Sequence, residues 1–257
     1  MTQPSESQIA AMLGKQETPP PTITPRVLVG TALADEYVVI PGPLGPLHIG
    51  FTSIGVTSVV PTDDEAEFLE VHTRTVGRPA YPATEVPVRL ADRLQRSLDS
   101  GKLGKLPVDL RQLSRFQTRV LQVTAAIPPA EVRPYGWVAR EMGNPGAVRA
   151  VGSALARNPV PILIPCHRVV KSDGSVGNYA FGPQMKKDLL VHEGMDSDLF
   201  EAGSLRYVGS DTTRIYCFPT CRNARRITPR HRIEFRSSER AEAGGYRACK
   251  VCRPAMV

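Results

Sequence analysis

The sequence predicts an α+β protein made of three folded parts in series. Short strand-like runs separated by Gly and Pro occupy most of the first hundred residues, together with two helical segments. Helical spacing then dominates the middle of the chain. Four of the five cysteines lie in two close pairs near the end. We therefore expect domains at 26–110, 111–196 and 210–257, with a disordered lead-in at 1–25 and a linker at 197–209.

The first part combines four strand-like runs with two helices. Residues 1–25 precede it with Pro19-Pro20-Pro21 and few large apolar side chains, a composition typical of disorder. The strand-like runs are Arg26–Val29, Glu36–Ile40, Pro46–Phe51 and Val56–Val60. Apolar spacing predicts helices at Asp63–Thr75 and Val86–Leu98. The pattern indicates a small α+β domain, and no catalytic motif stands out in it.

Three helices are predicted in the second part, at Ser114–Ile127, Tyr135–Met142 and Gly146–Arg157. The last two are joined by a tight Gly143-Asn144-Pro145 turn, which is typical of a helix-turn-helix. Small residues fill the third helix. They allow either close approach to a DNA groove or simple packing of two helices. Arg149 alone is more often a solvated charge on a helix face than a residue that contacts a base.

Positive charge is concentrated at the end of the chain. Residues 210–257 contain 11 basic and 4 acidic side chains, which accounts for the whole net charge of +7. A basic block of this kind favours contact with a polyanion such as a nucleic acid, and the alternative is a solvated basic surface.

The sequence contains neither a membrane-spanning run of apolar residues nor a secretory signal, so a cytoplasmic location is expected. In that compartment cysteines serve as thiols, metal ligands or nucleophiles rather than as disulfides. The pairs Cys217/Cys221 and Cys249/Cys252, separated by a 27-residue spacer, predict one zinc site with four thiolate ligands. Such an ion can serve simply to stabilise a small domain that has little core of its own.

Cys166 stands apart from the other cysteines. It follows an apolar run, a position in which most cysteines are inert core residues. His167 and Arg168 follow it directly, and cationic neighbours favour the reactive thiolate. Glu193 is a candidate to orient a histidine, if the fold brings the two together. The sequence thus allows either a nucleophile or a buried structural thiol.

The segment Pro165-Cys166-His167-Arg168-Val169-Val170 resembles the active-site motif of the O6-alkylguanine-DNA alkyltransferases. The resemblance extends from about residue 26 to residue 194. Six further motifs match in the expected order: Arg133–Gly136, Gly143–Pro145, Arg149–Gly152, Asn158-Pro159, Gly177–Tyr179 and His192–Gly194. Six ordered matches around the cysteine make the resemblance highly specific.

This resemblance implies a fold and an activity. It implies a ribonuclease-H-like first domain and a helix-turn-helix second domain that enters the minor groove of double-stranded DNA. It also implies direct-reversal repair, in which an alkyl group moves irreversibly from O6-alkylguanine, or from O4-alkylthymine, to the protein. Each molecule of such a single-turnover methyltransferase acts once, because the thioether product is not hydrolysed.

The resemblance also implies roles for residues of the reaction site. Cys166 would attack the alkyl carbon, His167 would accept the thiol proton through a water molecule, and Glu193 would hold His167. Tyr135 would press on the DNA backbone and donate a hydrogen bond to guanine N3. Asn158 would link the recognition helix to the active-site turn.

A flipped-out guanine is implied as well, since O6 is out of reach inside the stack. Arg149 would fill the space that the base leaves. The other helix residues implied to contact DNA are Ala147, Ala150, Gly152 and Ser153. The base pocket would be formed by Val169, Tyr179 and Ala180. Many relatives have Ser and Gly where this chain has Ala180 and Phe181, so we expect Phe181 to narrow or reshape the pocket.

Residues 213–222 and 243–254 resemble the zinc domain of Ada proteins. In that family one ligand also accepts methyl from DNA methylphosphotriesters, and by position this is Cys217. The segment before the first ligand is shorter here, the order of the two parts is reversed, and the helix-turn-helix segments that activate transcription are not expected. The alternatives are therefore a second repair site at Cys217, a zinc domain that only aids DNA binding, or a chain that is mainly a DNA-binding or regulatory module. No obligate protein partner and no organic cofactor are expected.

Overall fold

The computed structural model describes residues 23–196 and 207–254. Its fold is α+β, with a four-stranded sheet near each end and a helical region between them. The lead-in predicted for residues 1–25 lies outside the described residues, except for its last three. In the part of the chain that is described, no helix combines the length and the apolar character needed to cross a bilayer.

The first sheet has the strand order β3-β2-β1-β4. Its strands are β1 (Asp35–Gly42), β2 (Gly45–Phe51), β3 (Val56–Pro61) and β4 (Ala80–Pro82). The first three are antiparallel and β4 runs parallel to β1. Helix α2 (Glu65–Val76) connects β3 to β4; Asp64 caps its N-terminus and Gly77, with φ +83°, ends it.

The predicted first strand, Arg26–Val29, is wrong. These residues belong to a helix, α1 (Ile23–Gly30). Pro25 suits the first turn of a helix, where its missing N–H is not needed. Val27 is 54% exposed. Residues 26–29 are therefore neither paired in a sheet nor buried, although their apolar composition led us to expect both.

The helical region contains α3 (Val88–Ser100), α4 (Arg115–Ala125), α5 (Tyr135–Glu141), α6 (Val148–Ala156) and α7 (Pro183–His192). A capping box between Ser114 and Gln117 begins α4. A single 3-10 turn precedes α6, which therefore starts two residues later than predicted. Helices α4, α5 and α6 bury Val120, Val138 and Val151 against each other.

The second sheet, near the C-terminus, has the order β10-β8-β7-β9. It consists of β7 (Tyr207–Ser210), β8 (Ile215–Cys217), β9 (Arg232–Phe235) and β10 (Arg247–Ala248), with α8 (Ser238–Ala243) before the last strand. Strand β7 pairs with both β8 and β9. The end of the predicted linker is therefore part of this sheet, whereas residues 197–206 lie outside the described residues.

Two short strands tie the middle of the chain together. Strand β5 (Arg133–Pro134) runs parallel to β6 (Val169–Val170), with Arg133 opposite Val169. One continuous apolar core then extends from the first sheet through α4–α6 to the cysteines of the second sheet. The three predicted parts are thus packed against one another.

A buried polar network lies between the first sheet and α2. His72 Nδ1 is 2.7 Å from Ser58 Oγ, and His72 Nε2 is 3.5 Å from Asp35, which also pairs with Arg78. Gly50 lies directly against it, and a Cβ there would be 2.5 Å from Ser58 Oγ. This Ser–His–Asp array has no room for a substrate, so its role is to hold the sheet and helix together.

We expect this network to make stability depend on pH. Burial lowers the pKa of His72 from its ordinary 6.5 to about 4. Between pH 6.5 and pH 4 the unfolded chain therefore binds a proton at His72 that the folded chain does not bind. The contribution of His72 to stability is complete above pH 6.5 and falls as pH approaches 4. From pH 7 to pH 5 the free energy of unfolding should fall by about 2 kcal/mol through this group.

Urea unfolding of wild type and His72→Asn at both pH values measures this contribution. His167, whose pKa is also lowered by burial, acts in the same direction and is present in both proteins. The stability advantage of wild type over the variant should therefore be smaller at pH 5. Parallel pH profiles for the two proteins would contradict the assignment.

Candidate active site and metal centre

Cys166 lies in a tight turn between two ordered parts of the middle region. Residues Cys166–Arg168 form a 3-10 turn that leads directly into β6. Because β6 pairs with β5, the turn lies next to the start of α5, where Tyr135 is the first residue. The cysteine side chain is buried.

Asn158 holds the sulfur. Its Nδ2 donates to Cys166 Sγ at 3.2 Å and to the Ile164 carbonyl at 2.9 Å, while its Oδ1 accepts from the Val160 N–H at 3.1 Å. The predicted link between the end of α6 and the active-site turn is thus present in the structure.

The thiol is not acidic in this environment. Burial raises the pKa of Cys166, and the hydrogen bond from Asn158 and the charge of Lys186 only partly oppose it. The expectation that the adjacent cations favour the thiolate is therefore wrong, because desolvation outweighs them. Cys166 needs a proton acceptor when it reacts.

His167 and Glu193 meet as predicted, with Nε2 and Oε1 2.8 Å apart. Burial lowers the pKa of His167, which keeps the ring neutral. A neutral ring that donates from Nε2 to the carboxylate presents Nδ1 as a proton acceptor. His167 Nδ1 is buried and has no hydrogen-bond partner among the described residues.

Glu193 is held as a carboxylate by two partners. Burial by itself raises its pKa, but hydrogen bonds from His167 and Arg168 outweigh burial and bring the pKa to about 2. Arg168 Nε lies 3.0 Å from both carboxylate oxygens, and Nη2 lies 2.6 Å from Oε1. The Ala130 N–H donates to the carboxylate as well.

Arg168 therefore binds Glu193, whereas its position next to Cys166 in the sequence led us to expect that it would favour the thiolate. Its guanidinium is buried and also donates to the carbonyls of Ile127 at 2.7 Å and Gly101 at 2.6 Å. It anchors the turn to three separate segments, and it does not face the sulfur.

Lys186 is the cation near the sulfur, and sequence reasoning missed it. It is fully buried on α7, donates from Nζ to the Val169 carbonyl at 2.6 Å and lies 5.8 Å from the centroid of the Tyr135 ring. Burial lowers its pKa to about 8. The sequence does contain a signal that Lys186 is buried. Leu189 and Leu190, three and four residues later, lie on the same face of the helix and are buried.

A pocket of about 530 Å³ opens above Cys166. Seven of the predicted site residues line it: Tyr135, Arg149, Gly152, Ser153, Cys166, Tyr179 and Ala180. Asn158, His167, Glu193 and the buried Val169 do not line this pocket, and His167 and Glu193 border a separate small cavity beside Gly101. Ala147 and Ala150 are not pocket residues; Ala150 is exposed on α6.

Phe181 does not line this pocket, so of the two expected effects, narrowing or reshaping, the structure shows no narrowing. Its ring packs edge-on against Tyr179, with centroids 5.7 Å apart, and contacts the apolar cluster of the first sheet that includes Tyr37 and Phe68. It therefore supports the pocket wall from behind.

The four remaining cysteines form one cluster. Parallel pairing of β8 with β10 sets Ala248 opposite Tyr216, so the residues that follow, Cys217 and Cys249, are brought together. All four Sγ atoms lie within 4.8 Å of one another and all four side chains are buried. A tetrahedral zinc–thiolate centre has sulfur atoms about 3.8 Å apart, so only a small contraction is needed to hold the ion. The cluster is the zinc site of this chain.

Two family models match the chain. Residues 115–195 match the DNA binding domain of 6-O-methylguanine DNA methyltransferase, and residues 196–255 match the metal binding domain of Ada.

Individual relatives and solved structures are similar over more than half of this chain. The methylated-DNA–protein-cysteine methyltransferase of Shigella flexneri is 37% identical, covering 59% of this chain and 91% of the relative. The protein of the same name from Methanosarcina acetivorans is 33% identical, covering 62% and 97%. The crystal structure of Mycobacterium tuberculosis OGT in complex with DNA superposes with a TM-score of 0.51 at 30% identity, covering 65% of this chain and 99% of that one. The chain belongs to the methylated-DNA–protein-cysteine methyltransferase family.

Proposed function

We propose that this chain repairs DNA by taking the alkyl group of O6-alkylguanine onto Cys166. The observation that carries the proposal is a buried thiol at the base of an open pocket, bonded to Asn158 and next to a His167–Glu193 pair. A nucleophile, a base and a group that orients the base are the parts that alkyl transfer to sulfur requires. Family membership gives the same reaction: direct reversal by a methyltransferase that is used once.

In the reaction the S–C bond forms as the C–O bond of the alkylated guanine breaks. The thiol proton passes towards neutral His167, and Glu193 stabilises the charge that develops there. Lys186 lies close enough to oppose the cost of a buried thiolate. Tyr135 lies on the pocket wall, where its hydroxyl can donate to the departing base. The thioether is stable in water, so Cys166 is not regenerated.

The substrate is double-stranded DNA, and we propose that α6 enters its minor groove as the second helix of a helix-turn-helix. Arg149, Ala150 and Ser153 are exposed on α6, and Arg149 borders the pocket into which a flipped base would pass. The M. tuberculosis relative was crystallised in complex with DNA. In this arrangement Ala147 and Ala150 contact the sugar–phosphate backbone of the DNA outside the pocket.

We assign domains at 26–110, 111–196 and 207–257, the first of ribonuclease-H-like type; the last starts at Tyr207 rather than at the predicted residue 210 because β7 begins there. The support is a sheet with three antiparallel strands and a fourth that is parallel to the first. The cytoplasmic location stays a prediction.

Cys166 should be the acceptor. Full-length protein incubated with duplex DNA that carries O6-methylguanine should gain one methyl group, located on Cys166 by peptide mass spectrometry. Cys166→Ala should bind the same DNA with similar affinity and gain nothing. An unmethylated Cys166 in folded wild-type protein would rule out the proposed function.

Arg149 should matter only when the base has to leave a duplex. Arg149→Ala should slow methyl transfer from duplex DNA by about tenfold or more, because unstacking a base costs a few kcal/mol that the inserted side chain offsets. Transfer from O6-methylguanine as a free base should be unchanged. Arg157→Ala, an exposed arginine at the end of the same helix, is the matched control. Equal effects of the two substitutions on duplex DNA would contradict the assignment.

A second candidate function is methyl transfer from DNA methylphosphotriesters to Cys217. Cys217 borders a pocket of about 420 Å³ whose wall also contains Arg226, Thr228 and His231. These polar and cationic groups suit a DNA backbone beside the zinc-bound sulfur. The surrounding module carries the positive excess of the chain.

DNA that carries methylphosphotriesters but no alkylated base tests this function. Methyl should appear on Cys217, and Arg226→Ala should slow its appearance severalfold. Arg225→Ala is the control, because this neighbouring arginine is exposed and does not line the pocket. If Cys217 gains no methyl, the zinc module serves structure or DNA binding alone.

A further inference from the structure

Both metal-ligand loops contact one stretch of the middle region, residues 131–141, which we call the shared segment. It contains β5 and α5 and begins at the buried residue Glu131. The loops that contact it are residues 217–222, from the first cysteine pair, and residues 249–253, from the second.

The first loop is joined to the shared segment by buried hydrogen bonds. The Val132 N–H donates to Thr220 Oγ1 at 3.1 Å, and the Arg222 N–H donates to Glu131 Oε1 at 3.1 Å. Glu131 also pairs with Arg133 in the interior. Polar groups buried this deeply are costly to separate from their partners.

Arg133 adds an aromatic contact to the same loop. Its guanidinium lies 5.3 Å from the ring of Phe218 in the first loop and 5.6 Å from the ring of Trp137 in α5.

The second loop is held by the helical half of the shared segment. Trp137 Nε1 donates to the carbonyl of the metal ligand Cys252 at 2.9 Å. Arg140 donates to the carbonyl of the next residue, Arg253, at 2.5 Å, and Arg253 pairs with Glu141. The Arg253 guanidinium also lies 5.8 Å from the Trp137 ring.

The opposite side of the shared segment forms the alkyl-transfer site. Tyr135 stands in the middle of it and lines the pocket above Cys166. Arg133 and Pro134 pair with Val169 and Val170, the two residues that follow the active-site turn. One short segment thus contacts the metal loops on one side and the reactive pocket on the other.

We propose that zinc at the four cysteines holds the Tyr135 wall of the Cys166 pocket in place, so that metal occupancy and pocket geometry are coupled. The use of the pocket for alkyl transfer rests on the proposed function, but the coupling between metal occupancy and pocket geometry does not. Without the ion, four buried sulfur ligands have nothing to hold them together, and the conformation of both loops is lost. The shared segment then loses its hydrogen-bond partners on that side.

Trp137 is the single tryptophan of the chain, so tryptophan fluorescence reports on the surroundings of this one side chain. When zinc is removed from the full-length protein by a chelator under reducing conditions, the emission should shift to longer wavelength as the ring is exposed. Amide hydrogen exchange across residues 131–141 should become at least tenfold faster. Exchange in α2, which packs on the first sheet, should stay unchanged and shows that the rest of the protein remains folded.

Coupling is reciprocal, so a change in the shared segment should weaken zinc binding. Trp137→Phe keeps an aromatic ring but removes the donor to Cys252, and it should lower zinc affinity by about three- to tenfold in a chelator competition. Leu94→Val, a conservative core change in α3, should leave zinc affinity at the wild-type value.

The proposal is overturned if zinc-free protein keeps wild-type exchange in residues 131–141, or if Trp137→Phe binds zinc as tightly as wild type. Neither measurement involves alkylated DNA. A protein that shows the coupling but gains no methyl on Cys166 would therefore refute the proposed function and leave the coupling standing.

Discussion

The largely buried carboxylate of Glu193 is the point at which several separate segments of the chain meet. It binds the imidazole of His167 and the guanidinium of Arg168, and it accepts the main-chain N–H of Ala130. Arg168 continues the connection to the carbonyls of Ile127 and Gly101. A buried ion pair gains its stability only when its remaining donors and acceptors are satisfied, and here they are satisfied by backbone from outside the turn. The orientation of the reactive turn therefore depends on the packing of the whole middle region.

This arrangement explains how one environment can protect a thiol and still allow it to react. Burial makes ionisation of Cys166 unfavourable, which limits chance oxidation and side reactions. Lys186, whose charge favours ionisation, and His167, the proposed proton acceptor, are themselves buried and have pKa values lowered by desolvation. Alkyl transfer thus depends on an electrophile placed in the pocket, and not on a permanently charged sulfur.

Local motifs in the sequence predicted most of the candidate site. The roles of Cys166, His167 and Glu193 were predicted from the resemblance to the alkyltransferase motifs, and the four cysteine ligands follow from their pairing. The roles of Arg168 and Lys186 did not follow, because the direction of a long side chain is decided by tertiary packing. Arg168 adjoins the cysteine in sequence and faces Glu193, whereas Lys186 is twenty residues away and lies near the sulfur.

The fold was predictable to a similar extent. The runs Glu36–Ile40 and Val56–Val60 are strands because each pairs within the first sheet, and Val56–Val60 is buried along its whole length. Arg26–Val29 has the same composition but no sheet to join, and it is helical. The docking of the zinc module on Trp137 had no local signal, since its hydrogen bond joins residues 115 positions apart in the chain.

That docking has a consequence for how such a protein is used by a cell. An acceptor that reacts once is consumed with each lesion, and here the metal centre lies in the same chain and shares a core with the acceptor. Every acceptor that the cell makes therefore takes up one zinc ion. The supply of repair capacity becomes linked to the supply of the metal, a dependence that an alkyltransferase without a zinc module does not have.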